Sequence, residues 1–445
     1  MLILVQPASV DSPRCTFTAL AKEKLPLRRA LLLPLVFVTY SLAYLDRANF
    51  GFGAAAGLAT TLGIDQQRAA LLGALFFLGY FLCQIPGMLL ARRVSCTRLV
   101  FIALVAWGCL ASLTGVIRNF YWLCADRLLL GVAESIIFPA LLLLLTHWFT
   151  RSERSRANSI LMLGNPTTVL WMSVVTGYLI QQFGWQHTFI VEGLPAVLWA
   201  FVWIAFVRDK PAQARWMPRE EVRQLEVAIT AQQPVVHEDH KDTSLLRVLL
   251  SRNCLLLSAQ YFWWSVGVYG FVLWLPTIVR QGASLSMGKT GLLSALPYVF
   301  AILFLIIVGQ LSDRTMRRKE FVWPCMLIAG IAMMGSFLFG GKSFTLAFAC
   351  MVVACGAMYA PYGPFFAMVP ERTPRAMAGE VFAMVNSSGA LGAFAGSYLV
   401  GLLQALTHSS QASYLFMAIS FLIAALITFA LPTQVASATM ETSHA

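Results

Sequence analysis

The chain has 445 residues, of which 58% are hydrophobic and only 12% charged. A soluble protein carries about 25% charged residues, so this composition excludes a chain made mainly of soluble domains. The net charge of +12 does not require a nucleic-acid partner, because basic loops beside membrane spans meet anionic lipid headgroups. We therefore expect an all-α integral membrane protein that is embedded in the lipid bilayer.

Apolar segments long enough to cross a bilayer, which takes ~20 residues, recur along the whole chain. The predicted spans are residues 31–58, 69–91, 98–117, 121–147, 158–181, 188–207, 254–279, 290–311, 321–340, 344–369, 377–403 and 411–431. The longest polar stretch separates the sixth span from the seventh and divides the chain into two halves. The expected units are a tail, a six-helix bundle, a linker, a second six-helix bundle and a tail, at residues 1–29, 30–207, 208–253, 254–431 and 432–445.

The basic residues are concentrated in alternate loops between the spans. The loops after the second, fourth, sixth, eighth and tenth spans are rich in Lys and Arg, and the opposite loops are poor in them. Basic loops stay on the cytoplasmic side of a membrane, so we expect both termini there. The loops at 87–98 and 309–319 also correspond to each other, about half the chain apart, which indicates two six-helix repeats.

The first span contains Asp46 and Arg47 within an apolar run. A charged side chain at the centre of a membrane helix costs about 2.5–3.5 kcal/mol on the insertion scale, so it usually faces a water-filled cavity and serves a transport path or proton relay. In the fourth span, Arg127 and Glu134 are seven residues apart and share a helical face. We expect all four to face one cavity, with Gly131 allowing a neighbouring helix or a ligand to approach closely. The alternative for Arg127 is an ion pair with Asp126 or an interfacial position.

The later spans offer neutral polar and aromatic groups instead of charges. Asn165 precedes a proline in the fifth span, where it either contacts a solute or compensates for the kink. Tyr261 and Tyr269 belong to an aromatic seventh span, whose rings are either interface anchors or hydrogen-bonding partners of a solute. Two prolines and a glycine at 359–366 predict a broken tenth helix, and Asn386 is the strongest polar group of the eleventh span.

Other polar features have simpler interpretations. The nine cysteines have no metal-ligand spacing and are expected to be small buried hydrophobic residues. His237 and His240 are expected to be solvated, residues 151–156 to form a solvated turn, and residues 218–226 a short surface helix. We find no nucleophile–base pair, metal constellation or phosphate-binding loop, so we expect no enzyme activity, no metal and no cofactor.

Several motifs together resemble the anion:cation symporter family of the major facilitator superfamily, over residues 30–431. They are Tyr44-Leu-Asp-Arg-Ala-Asn, Gln84-Ile-Pro-Gly, Arg127-Leu-Leu-Leu-Gly-Val-Ala-Glu, Asp209-Lys-Pro and Ala214-Arg-Trp. Within the family the chain is most similar to bacterial 2-ketogluconate transporters, at Gly164-Asn-Pro and at residues 268–276 and 357–366. The loop at 309–319 matches the superfamily pattern, whereas its counterpart in the first half has Ala91 in place of the aspartate.

The resemblance implies a monomeric proton symporter of the bacterial inner membrane that imports a small organic anion, best a sugar acid such as 2-ketogluconate. Asp46 and Glu134 would then couple protons, and Arg47 and Arg127 would hold the substrate carboxylate. The other expected substrate-binding residues are Tyr44, Tyr80, Asn165, Tyr261, Tyr359, Tyr362 and Asn386. The alternatives are a Na⁺-coupled carrier, a carrier of phthalate, tartrate or hexuronates, and, in a different class, a membrane enzyme or sensor.

Overall fold

The structure, a computed structural model, describes residues 27–231, 245–373 and 377–432. His237 and His240 lie outside these ranges, as do most of the two predicted tails. The described chain is almost entirely helical, as expected from its apolar segments. The helices of the first half are α1 (Leu27–Ala55), α2 (Leu58–Leu62), α3 (Gln66–Arg93), α4 (Cys96–Thr114), α5 (Phe120–Ser135), α6 (Ile137–Trp148) and α7 (Arg151–Phe206).

The linker region contains short helices, and the second half contains longer membrane helices. A 3-10 turn at Pro211–Gln213 precedes α8 (Arg219–Ala231) and α9 (Leu245–Leu249). The membrane helices that follow are α10 (Arg252–Ala283), α11 (Met287–Thr315), α12 (Arg318–Gly340), α13 (Phe344–Tyr359), α14 (Tyr362–Glu371), α15 (Ala378–Thr407) and α16 (Ser410–Ala430). In α8 Arg223 and Glu226 are exposed and Leu225 is buried, so the predicted surface helix is confirmed.

The described residues contain eleven apolar helical stretches long enough to cross a membrane. One of them, Ile160–Phe206, has 47 residues, about twice the length that a bilayer needs. It is broken at Gly184, whose φ of 78° and ψ of 165° suit a residue without Cβ. This stretch therefore crosses twice. The twelve crossings form two six-helix bundles, as predicted, and α13 and α14 form the predicted broken tenth span.

Glycines allow α3 and α5 to pack with their backbones in contact. A Cβ placed on Gly131 would lie 1.9 Å from the Phe76 carbonyl oxygen, and one on Gly79 would lie 2.1 Å from the Leu128 oxygen. Neither position tolerates a side chain unless the helices separate. The close packing expected at Gly131 is therefore present, and it fixes α5 against the helix that carries Tyr80.

One local expectation is wrong. Residues 151–156 do not form a solvated turn but begin α7, because Thr150 and Glu153 form a capping box and Glu153 also binds Arg28 (2.8 Å) and Arg29. Among the aromatic rings of the seventh span, Trp264 and Trp274 pack inside the second half. Both are buried, and their indole N–H groups donate to carbonyl oxygens inside the second half at 3.0 and 2.9 Å.

The linker is bonded to the loop at 87–98, where the first half lacks the aspartate of the superfamily pattern. Ala91 is buried there, and the Asp209 carboxylate accepts a hydrogen bond from the Thr97 backbone N–H at 2.8 Å. In the second half the corresponding Asp313 binds Arg318 directly. The first half thus uses an aspartate from the linker to bind the start of α4.

Candidate functional site

A large cavity of about 760 Å³ lies between the two halves. Its walls come from α3, α6 and α7 on one side and from α11, α14 and α15 on the other. The polar side chains along it include Gln84, Arg154, Asn158, Gln310, Asp313, Arg318 and Asn386. The charged members lie at the mouth, which is formed by the helix ends next to the basic loops. The cavity is therefore open on the side that the charge pattern predicts to be cytoplasmic.

Contacts between the halves seal the opposite end. The Arg280 guanidinium of α10 donates to the Ala55 carbonyl oxygen at the end of α1. The Gln181 side-chain oxygen accepts from the Gly288 backbone N–H at 2.8 Å. A Cβ on Gly51 would lie 2.3 Å from the Leu273 oxygen, so α1 and α10 are in backbone contact. The structure thus has one open and one closed end.

The cavity narrows at its closed end into a small pocket of about 40 Å³. Met162, Leu305, Tyr362 and Asn386 line both the pocket and the cavity, so the two are continuous. Of the predicted substrate-binding residues, those that line the pocket are Tyr44, Arg47, Tyr80, Asn165, Tyr261, Tyr359, Tyr362 and Asn386. The pocket is where both halves meet at the centre of the molecule.

Phenol hydroxyls link the two halves across this pocket. The Tyr44 hydroxyl lies 3.5 Å from the Tyr269 hydroxyl and 3.4 Å from that of Tyr40. The Tyr359 hydroxyl donates to the Asn165 side-chain oxygen at 3.4 Å. Tyr40 was not predicted, although it lies one helical turn before Tyr44 and so on the same face of α1. Tyr269, one of the two tyrosines considered as solute partners, does reach the pocket.

Arg47 is the cationic side chain among the described residues that line the pocket. Its Nε lies 2.9 Å from Glu134 Oε2, and its Cζ lies 4.7 and 4.6 Å from the ring centres of Tyr44 and Tyr80. Glu134 is completely buried behind the arginine. A group that enters the pocket therefore meets the positive charge first, and it competes with Glu134 for that charge.

Arg127 and Asp46 lie behind the pocket and line neither cavity. The Arg127 Nε donates to the Leu72 oxygen at 3.4 Å, and its Cζ lies 4.4 Å from the Phe50 ring centre. Seven residues of helix rise about 10 Å, so Arg127 and Glu134 share a face but not a depth. Arg127 does not pair with Asp126, whose carboxylate accepts from the Thr114 hydroxyl at 2.7 Å.

Asp46 belongs to a polar network that the sequence analysis missed. It accepts from the Trp107 indole N–H and, at 3.5 Å, from the Asn49 amide. The same amide donates to Glu192 at 3.2 Å, and Glu192 also accepts from Thr176. Glu192 is buried in the sixth span, where a carboxylate in an apolar run carries the same signal as Asp46. The set of deep charges is therefore larger than predicted, and it remains in the first half.

The comparison with protein families decides the assignment. The model of the Major Facilitator Superfamily matches residues 36–397 and 290–440. The chain belongs to this superfamily. The transporter is 29% identical over 407 residues to a protein of Agrobacterium vitis named for tartrate transport, covering 90% of this chain and 92% of the relative. It is also 29% identical over 407 residues to a quinolone resistance transporter of Acinetobacter baumannii, covering 89% and 92%.

Solved structures show the same fold. A crystal structure of a D-xylose-proton symporter superimposes on the transporter with a TM-score of 0.73 at 16% sequence identity, covering 90% of this chain and 98% of the other. At this identity the likeness concerns the fold alone. It agrees with the two six-helix bundles described above. The family match and the relatives named as transporters indicate a transporter rather than an enzyme.

Proposed function

We propose that the transporter is a proton-coupled symporter that imports a sugar-acid anion, with 2-ketogluconate as the first substrate to test. One observation carries the proposal. Arg47 lies at the wall of a central pocket, already neutralised by the buried Glu134, and the remaining polar groups of that pocket are hydroxyls and amides. A monocarboxylate with several hydroxyl groups has matching chemistry.

The number of positive charges favours one carboxylate over two. Arg47 can bind a carboxylate through its guanidinium fork, whereas Arg127 is buried against Phe50 and Leu72 and lines neither cavity. Tyrosine hydroxyls and the amides of Asn165 and Asn386 can donate to and accept from sugar hydroxyls. Tartrate is the second candidate, supported by the Agrobacterium vitis relative, and it would require a second cation to reach the pocket.

The proposed coupling is a competition for Arg47. A substrate carboxylate that takes over the guanidinium leaves Glu134 buried without its partner, and an unpaired buried charge is strongly disfavoured. Glu134 then takes up a proton, so one anion and one proton enter together and the charge of the pocket is unchanged. Asp46, which directly precedes Arg47 in α1 and is buried behind the pocket, is the second proposed coupling residue.

The direction and location follow from the charge pattern. If the basic loops are cytoplasmic, the open mouth faces the cytoplasm and the structure is inward-facing. Rocking of the two halves about the central pocket would open the sealed end instead. The bacterial relatives support placement in the cytoplasmic membrane of a bacterium, with both termini inside.

Uptake into proteoliposomes tests the proposal. Labelled 2-ketogluconate is expected to accumulate when the outside is made acidic, and a protonophore is expected to abolish accumulation. Unlabelled gluconate, galactonate, tartrate, phthalate and a quinolone then compete. Accumulation driven by a sodium gradient without a proton gradient would identify the Na⁺-coupled alternative, and selective competition by tartrate, phthalate or the quinolone would replace the sugar acid as substrate.

A further inference from the structure

Glu192 is a buried carboxylate that the proposed transport cycle does not use. It lies in the second membrane segment of α7 and is 6% exposed. Its two oxygens accept hydrogen bonds from the Thr176 hydroxyl and the Asn49 amide. No Lys or Arg among the described residues lies within ion-pair distance of it, and neither cavity reaches it. Such a carboxylate needs either a proton or a nearby positive charge.

Asn49 connects Glu192 to Asp46. The Asn49 amide nitrogen lies 3.2 Å from Glu192 Oε2 and 3.5 Å from Asp46 Oδ1. The two carboxylates are therefore bridged by one amide group, and they approach within about 7 Å of each other. Two like charges at this distance inside a protein disfavour double ionisation, as in other carboxylate pairs.

The surroundings of the pair supply little positive charge. α1 contributes Asn49 and Asp46, the first segment of α7 contributes Thr176, and α4 contributes the Trp107 indole N–H, which donates to Asp46. Arg47 and Arg127 act on Asp46 without ion-pair contact, whereas Asp46 is the charged group that acts on Glu192. The pair thus carries two carboxylates against arginines that already face other partners.

We propose that Asp46 and Glu192 bind one proton between them, carried by one carboxyl group or the other, and that this pair is a second proton-binding site of the transport cycle beside Glu134. The inference rests on the proposed function, because it assigns a further residue to proton symport. The Asn49 N–H₂ group donates to both carboxylates and can stabilise whichever of them is ionised. A bound Na⁺ would instead require oxygen ligands at this place.

The position of Glu192 explains how this proton could exchange with the outside. Along α1, Asn49 lies between Asp46 and the sealed end at Ala55, and Glu192 follows the break at Gly184 by about 12 Å of helix. The network therefore extends from Asp46 towards the end that is closed in this structure. When that end opens, solvent that reaches the pair can deliver a proton to one carboxyl group, while the other stays ionised and accepts from Asn49.

The test is the ratio of protons to substrate, measured as a reversal potential in proteoliposomes. Glu192→Gln keeps the shape and an oxygen acceptor for Thr176 but cannot exchange a proton. With the pair as a second site, the unmodified protein carries two protons per substrate, one on Glu134 and one on the pair. In Glu192→Gln we expect substrate exchange to continue and the ratio to fall from two to one. Thr176→Val is the matched control, because it removes a hydrogen bond to Glu192 but no carboxylate, and its ratio is expected to equal that of the unmodified protein.

A second variant keeps the inference testable if Glu192→Gln does not fold. Asn49→Leu separates the two carboxylates without removing either, and we expect it to lower the ratio as well. An unchanged ratio in a variant that still exchanges substrate would overturn the inference and leave the proposed function standing. Sodium-dependent uptake that Glu192→Gln abolishes would overturn it in favour of a cation site. Absence of proton-coupled uptake by the unmodified protein would refute the proposed function itself.

Discussion

Replacing Glu134 by glutamine separates the charge of this residue from its shape. The variant keeps an oxygen that can accept from Arg47 Nε at the 2.9 Å contact, but it removes the negative charge that neutralises the arginine. If Glu134 and the substrate compete for Arg47, Glu134→Gln resembles the protonated state at every pH. We expect it to bind and exchange substrate and to lose accumulation driven by a proton gradient.

The size of the effect follows from the ion pair. Hydrogen bonds to charged groups contribute about 1.5–3 kcal/mol, and each ~1.4 kcal/mol changes an affinity tenfold. In the unmodified protein, acidification protonates Glu134 and releases Arg47, so substrate binding should strengthen as pH falls. We expect the dissociation constant to change by about 10- to 100-fold between the protonated and ionised states of Glu134. In Glu134→Gln the affinity should be nearly independent of pH.

Calorimetric titration of the purified protein across a pH series measures this directly, and counterflow in proteoliposomes confirms that the variant folds. Asp126→Asn is the matched control. Asp126 is a buried carboxylate of the same helix, but it is bonded to Thr114 and lines neither cavity, so its variant should keep the pH dependence. A Glu134→Gln protein that still accumulates substrate in a proton gradient, or whose affinity remains steeply pH-dependent, would refute the competition mechanism.

Three further predictions address the scaffold. Arg280→Gln removes a bond that holds the sealed end closed, so this end should open more often and the cavity mouth at the other end should close. Spin labels placed on the two halves at the mouth should then show shorter distances. Unchanged distances would mean that this bond does not hold the end closed. Gly131→Ala should lower the melting temperature by several degrees through overpacking. Gly309→Ala is the control and should not lower it, because a Cβ at Gly309 has no neighbouring atom within 4 Å. Equal melting temperatures of the two variants would contradict the packing argument. Burial alone would raise the pKa of Glu153, but its hydrogen bonds with Arg29 and Thr150 outweigh burial and hold the pKa below the ordinary 4.5. Ionised Glu153 should therefore stabilise the fold above that pH, and this stabilisation should be lost on further acidification. Melting temperatures of Glu153→Gln and the unmodified protein, compared across this pH range, would reveal the difference.

Hydropathy predicted the membrane spans because the bilayer imposes a length and a polarity on each crossing. The same reasoning located the break between α13 and α14, since proline and glycine disturb a helix in a known way. It misjudged residues 151–156, although Thr150 and Glu153 have the spacing of a capping box, which is a local signal for a helix start. The further partners of Glu153, Arg28 and Arg29, lie more than a hundred residues away. Pairings over such distances are not encoded in the local pattern.

The candidate site illustrates a second limit. Helical periodicity places Arg127 and Glu134 on one face, but it says nothing about which neighbouring helix covers each residue. In the structure Phe50 and Phe76 cover Arg127, while Arg47 from α1 reaches Glu134. The link between Asp46 and Glu192 depends in the same way on α1 packing against α7. The sequence was enough to pick out the charged residues, but which residue each of them contacts could be seen only in the folded structure.

Under the proposed function, the charges buried in the first half make the coupling of substrate and proton obligatory. Arg47 is buried between two aromatic rings, so its charge must be balanced whenever the halves close around it. Either ionised Glu134 or a substrate carboxylate can provide that balance. With substrate bound, Glu134 must be protonated to avoid an excess negative charge, and without substrate it must be ionised. The two permitted crossings are thus substrate with proton, or neither, which is the definition of symport. Leakage of protons alone would require Arg47 to cross unpaired, since in the part of the chain that the structure describes Glu134 is the carboxylate paired with it.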